Sequence, residues 1–146
     1  MRTSRSSIRS ERGAALLETA LTLPLLLLVT VGIVEFGRAY QTWQVLTNAA
    51  REGARVAVLP GGDDTAVENR VLDYMEAGQL SSPDSATVSV TSVVIPIGTG
   101  TANASQVQVD YPFQFMVLQP VAQLVSKGST VGAPITMRAT ATMRNE

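Results

Sequence analysis

From Ala14 to Val34 the chain is apolar at nearly every position, and Glu18 is the single charge among these 21 residues. A helix of that length rises about 31 Å, enough to cross a hydrocarbon core of about 30 Å. The run predicts a transmembrane helix over 14–35. Pro24 lies inside it and forfeits one backbone hydrogen bond, which membrane helices accept. Beyond Val34 the spacing stays helical. Phe36, Tyr40, Trp43, Leu46, Ala50 and Ala54 recur at steps of three and four, so one apolar face is expected to continue through 36–59. Pro60-Gly61-Gly62 is a strong stop. One helix is therefore expected from about residue 14 to 58, roughly 67 Å long at the ordinary rise, with its first half in lipid and its second half emerging. Tyr40 and Trp43 fall near the expected outer interface, where amphipathic rings are favoured.

The remaining pattern, over 60–146, predicts a small α+β body. Asp63-Asp64-Thr65 opens a second, short helix. Thr65 and Glu68 have capping-box spacing, Val67, Val71, Tyr74 and Met75 mark its buried stripe, and Gly78 is the expected stop. Residues 81–85 read as a loop. Three strands follow. Thr87–Ile95 is rich in Val and Thr, and 96–103 reads as a flexible turn. Gln106–Phe115 alternates strictly, with Val107, Val109, Tyr111, Phe113 and Phe115 on one face; Pro112 argues against a central place at that point. Ile135–Met143 alternates as well. One apolar and one polar face per strand describe an antiparallel sheet covered on one side, and the long helix is its natural cover. Met116–Val125, apolar and broken by Pro120, reads either as a short helix or as a loop lying on the sheet or the membrane. The expected fold class is α+β: a long N-terminal helix, transmembrane in its first half, packed with a short second helix and a three-stranded antiparallel sheet.

Charge adds an orientation. Residues 1–13 hold four arginines, Arg2, Arg5, Arg9 and Arg12, against Glu11, so they form a serine-rich basic leader of net +3; residues 14–146 hold seven basic and eleven acidic side chains. By the positive-inside rule the arginine side stays cytoplasmic and the C-terminal body is exported, which makes a single-pass protein of the cytoplasmic membrane. A cleaved secretory signal would share the basic and apolar regions. It would also need a small-x-small cleavage site, where this chain continues as a charged and aromatic helix.

Composition narrows the chemistry. The chain has no cysteine and no histidine. That excludes disulfides, thiolate nucleophiles, His-based catalytic pairs and the usual zinc sites. Lys127 is the only lysine, and no Ser-x-x-Lys precedes it. No phosphate-binding glycine loop or metal-ligand spacing is present. Asp63-Asp64 with Glu68 has oxygen donors for Ca²⁺, but a helix N-terminus that welcomes negative charge explains them as well. No catalytic residue, cofactor or metal is assigned, no enzyme activity is expected, and a net charge of −1 gives no reason to expect nucleic acid.

Glu18 is the informative residue. A carboxylate one turn into an apolar span costs on the order of 2.5–3.5 kcal/mol or more. It can snorkel to the interface or be protonated. Alternatively, cleavage between Gly13 and Ala14 would create a new cationic amine, with Glu18 as the fifth residue after the cut. Glu18 could then pair with that amine, or with that of a neighbouring subunit offset along the axis. Further on, Glu35 with Arg38 and Glu52 with Arg55 sit at i,i+3 and are readable as ordinary surface pairs. Ala49, Ala50, Gly53, Ala54 and Ala57 form a small-residue face. It suits close approach either to the protein's own sheet or to a helix of another subunit.

A basic leader ending in Gly, a Glu five residues later and an apolar helix resemble type IV prepilins. The run Arg12-Gly13-Ala14-Ala15, Glu18, Leu23-Pro24-Leu25, then Gly32-Ile33-Val34-Glu35-Phe36-Gly37-Arg38 and Asn48-Ala49-Ala50-Arg51-Glu52-Gly53-Ala54-Arg55, resembles the TadE-like family over about residues 12–58. Those are minor pilins, or pseudopilins, of the tight-adherence Tad/Flp pilus system. The resemblance implies a pilin-like fold, removal of the leader after Gly13 by a prepilin peptidase, and a part in assembling an adhesive pilus. The implied partners are other pilins and pseudopilins, the membrane assembly platform and the lipid bilayer. It also implies a helix-packing role for Gly32, Glu35, Gly37, Arg38, Asn48, Arg51, Glu52, Gly53 and Arg55. Thr19 stands where the major pilins of that system usually carry an aromatic residue. This, with the large C-terminal body, points to a minor component. The alternative is a single-pass membrane-anchored binding module of the cell envelope unrelated to pili.

Overall fold

The structure is a computed structural model that describes residues 7–145. The first six residues of the basic leader, Arg2 and Arg5 among them, lie outside the described residues. Helix α1 runs Ser7–Ala57, α2 Asp64–Ala77 and α3 Leu118–Val125; strands β1 Thr87–Ile97, β2 Gly100–Phe113 and β3 Ile135–Arg144 form one antiparallel sheet in the order β1-β2-β3. The fold is α+β. The helix begins seven residues before Ala14, inside the leader, because extending an existing helix avoids the cost of nucleating one. The chain divides into two units, one of residues 1–36 with 115–132 and one of residues 37–114 with 133–146.

In the first unit, every residue of α1 from Gly13 to Leu27 is exposed. Exposed leucines here cannot be a soluble core. α1 is the one helix among the described residues that is long and apolar enough to cross a membrane. Its threonines turn their hydroxyls inward on the backbone: Thr19 donates to the Ala15 carbonyl at 2.8 Å, Thr22 to that of Glu18 at 3.0 Å and Thr30 to that of Leu26 at 2.8 Å. Such i−4 bonds satisfy the hydroxyls without water, which hydrocarbon requires. α3 belongs to this unit and buries Leu118 and Ala122. The ambiguous stretch after β2 is thus a short helix entered through a bend at Met116 and Val117.

The second unit holds the core. Leu46, Ala49, Ala50 and Ala54 of α1, Val67, Val71 and Met75 of α2, and Val107 and Val109 of β2 are almost fully buried. Each large side chain among them is worth about 1.5–3 kcal/mol on burial. Gly53 lets the layers meet: a Cβ there would lie 2.6 Å from a methyl of Val71 and 3.3 Å from one of Val107. The small-residue face therefore packs on the protein's own sheet and second helix. Tyr40 and Trp43, expected on this face, are instead exposed. The buried stripe runs through Thr42, Leu46, Ala49 and Gly53. At 100° per residue the two rings stand a quarter turn or more from it.

Three local expectations are corrected. Asp63, not Thr65, caps α2, accepting the Ala66 N–H at 2.7 Å. A carboxylate two residues earlier takes the orphan amide first. Tyr74 is only half-buried. The turn at 96–103 is much tighter than expected: Ile97 pairs with Gly100, leaving a two-residue loop in which Gly98 has φ +58°, the left-handed conformation such hairpins favour at that place. Pro96 is tolerated because β1 is an edge strand. β2 is the central strand, but not at Pro112, as expected of that residue. Its pairing with β1 stops at Asp110, so Pro112 has only β3 beside it.

Candidate assembly segment

The residues singled out in the sequence lie along α1. Gly13 and Ala14 are exposed within its first turns. Glycine is the weakest helix former after proline, by about 1 kcal/mol relative to alanine, so Gly13 weakens the helix locally. Glu18 is exposed on the apolar span and has no charged partner among the described residues. Gly32 lies in the same span and is half-buried, with no atom within 4 Å of where a Cβ would stand.

Glu35 departs most from its expected role. It is only 3% exposed, and its Oε1 accepts the backbone N–H of Met116 at 3.0 Å and of Val117 at 2.8 Å. These amides lead into α3. The carboxylate thus holds the entry of α3 against α1 within the first unit, a task no surface charge performs. Phe36 meets Phe115 edge to face, with centroids 6.4 Å apart, so the α1 end of this unit is fastened to residues 115–117 by a ring contact as well as by hydrogen bonds.

In the second unit Arg38 donates to the Gln114 carbonyl, and its guanidinium carbon lies 4.7 Å from the centroid of the Phe113 ring. Arg38 is half-buried. A flat cation over an aromatic face, with a carbonyl at its edge, suits arginine and not lysine. Gly37 is exposed with nothing within 4 Å of a would-be Cβ, so the fold itself does not require a glycine there. Asn48 accepts from Arg51 at 3.4 Å. Glu52 bridges Arg55 at 3.5 Å and Arg70 of α2 at 3.2 Å. The second bridge joins two helices and was not legible from the i,i+3 spacing. Asp110 is a charge on the surface of the sheet. It takes a two-pronged bond from Arg138, directly opposite on β3, at 2.7 and 2.9 Å. The Arg138 hydrogen bond holds the Asp110 carboxyl below the usual carboxylate range, against a smaller opposing effect of burial. Tyr111 donates to the Ser81 carbonyl, and burial pushes its phenol above the ordinary value.

What this arrangement can do is mechanical. In the first unit it presents an exposed apolar helix with one carboxylate, Glu18, and fastens the end of that helix to the entry of α3 through Glu35; in the second, small residues of α1 pack on the sheet and α2. No curated protein and no solved structure matches the chain. Over residues 13–55, the stretch of α1 that runs from Gly13 through Glu18 and Glu35 to Arg55, the chain matches the family model described as TadE-like protein.

Proposed function

We propose that the chain is a structural minor pilin, a pseudopilin, that takes part in assembling a Tad/Flp-type adhesive pilus. The TadE-like match ties it to Tad pilus systems. The observation that carries the finer reading is the exposed apolar stretch from Gly13 to Leu27 with one carboxylate on it. The protein inserts with its arginine-rich end in the cytoplasm and its α+β body exported. A prepilin peptidase cuts between Gly13 and Ala14. The new ammonium then meets Glu18, its own or that of a neighbouring pilin offset along the axis. In hydrocarbon an unpaired carboxylate is costly, so packing that supplies the amine is favoured over packing that does not. Other pilins and the membrane platform are the partners, and the role is not catalytic.

The test is Glu18→Ala in the producing cell. The mature band on a blot should keep its mobility, showing that cleavage is intact, while pilus counts fall sharply. Normal piliation would remove the ion pair from the account.

A further inference from the structure

The first unit carries an apolar surface that a spanning helix alone does not explain. An open groove of about 620 Å³ lies between α1, at Leu28, Gly32 and Phe36, and the segment after β2, at Leu118 and Val131. Met116, Val117 and Val131 are exposed on that segment. A contiguous apolar patch of this kind is unfavourable in water. Moreover, from Phe115 to Gly132 the chain holds one charged side chain, Lys127, and no acid. One wall of the groove is the exposed apolar run of α1 itself. Whatever medium surrounds α1 at the exposed Val29 and Ile33 therefore also meets Val131.

The backbone of this segment is prepared for such a medium. An amide in hydrocarbon is costly unless an acceptor is supplied from within the protein. Glu35 supplies one to Met116 and Val117. Val121 N–H reaches the Val117 carbonyl at 3.1 Å, and Pro120 has no N–H to satisfy. Lys127, two residues beyond α3, is exposed and has a stem long enough to keep its ammonium at headgroup level. A cation there is drawn to anionic phospholipid.

We propose that residues 115–132 are a second membrane-contact element, an interfacial turn and helix that enter the outer leaflet beside the end of the span, with a phospholipid acyl chain filling the groove. This rests on the reading that α1 crosses the bilayer with its body exported. The exported domain is then tethered to the membrane at two places instead of one. That restricts its swing, and entry into a filament would require the second contact to be withdrawn from lipid.

The absence of cysteine makes the test clean. Single variants Val117→Cys and Val131→Cys, at exposed positions, are labelled with an environment-sensitive fluorophore in the full chain and reconstituted into phosphatidylethanolamine–phosphatidylglycerol vesicles. Leu21→Cys reports the span, and Ser89→Cys the water-facing side of β1. The expected result is a blue-shifted emission at 117 and 131, quenched by nitroxide-labelled lipid and shielded from iodide, as at 21 and opposite to 89. Iodide quenching at 117 and 131 with shielding at 21 overturns the second contact and leaves the span intact. Iodide quenching at 21 as well overturns both. Energy transfer between copies labelled at 131, with loss of lipid quenching, makes a second copy the occupant and overturns the lipid assignment.

Discussion

Replacing Glu35 by alanine removes the acceptor for two backbone amides at once. The carboxylate is buried and bonds to Met116 and Val117 at 3.0 and 2.8 Å. A hydrogen bond to a charged group contributes about 1.5–3 kcal/mol, and a buried donor left without a partner costs about 1–3 kcal/mol. Because the two bonds share one oxygen, their sum is less than twice the single value, and about 3 kcal/mol is a reasonable total. At 1.36 kcal/mol per factor of ten, that is roughly a hundredfold rise in the opening of the 115–117 segment. Hydrogen–deuterium exchange of the reconstituted protein reads this directly. Amides 116 and 117 should exchange about a hundred times faster in Glu35→Ala, while those of Val107 and Val109 in the sheet core keep their protection. Glu35→Gln keeps an oxygen acceptor without its charge and should fall between the two. Unchanged exchange at 116 and 117 in the alanine variant would refute the view that Glu35 holds this segment.

Other expectations concern the second unit. Gly53→Ala sets a helix-propensity gain of about 1 kcal/mol against overpacking of about 1–3 kcal/mol, since the new Cβ meets Val71 at 2.6 Å. The net loss of about 1 kcal/mol should lower Tm by about 4–8 °C for a unit of this size; a higher Tm would contradict the close approach. Gly37→Ala meets nothing and should raise stability by up to about 1 kcal/mol. If piliation fails in that variant while Tm rises, Gly37 serves contact with another subunit. The Asp110 carboxyl is held low by Arg138. Its stabilising effect is therefore complete above the unfolded value near 3.9 and is lost as pH falls through the lowered folded one. Asp110→Asn should flatten this part of the acid limb in a Tm-versus-pH series, and an unchanged limb would count against the pair.

Periodicity carried most of the secondary structure. The alternation of Val107, Val109, Tyr111 and Phe113 located β2, and that of Met137, Ala139 and Ala141 located β3, because a half-buried strand shows its faces in the sequence. The long helix was equally plain. What the pattern hid depends on contacts remote in the chain. Glu35 lies 81 residues from Met116, so no local spacing reveals that its carboxylate is a buried acceptor. Its i,i+3 partner suggested a surface pair instead. The aromatic residues misled for another reason. Tyr40 and Trp43 satisfy helical steps with Leu46, but small residues mark the side where a helix comes close to a sheet, and the bulky rings stay outside. Pro112 argued against a central place at that point, and there β2 has only β3 beside it. It could not show that β1 ends its pairing two residues earlier.

The likeness to the TadE-like family over residues 13–55 was legible through Gly13, Glu18 and the run from Gly32 to Arg55 taken together. None of these alone is specific. All of them lie on one helix, α1.

The most direct test is the mass and N-terminal sequence of the protein recovered from the membranes and pili of a producing cell. A mature chain starting at Ala14, without its four leader arginines, is the predicted result. A chain still beginning at Met1 in a piliated, functional cell would contradict it, because the ammonium that Glu18 is held to meet would never have formed.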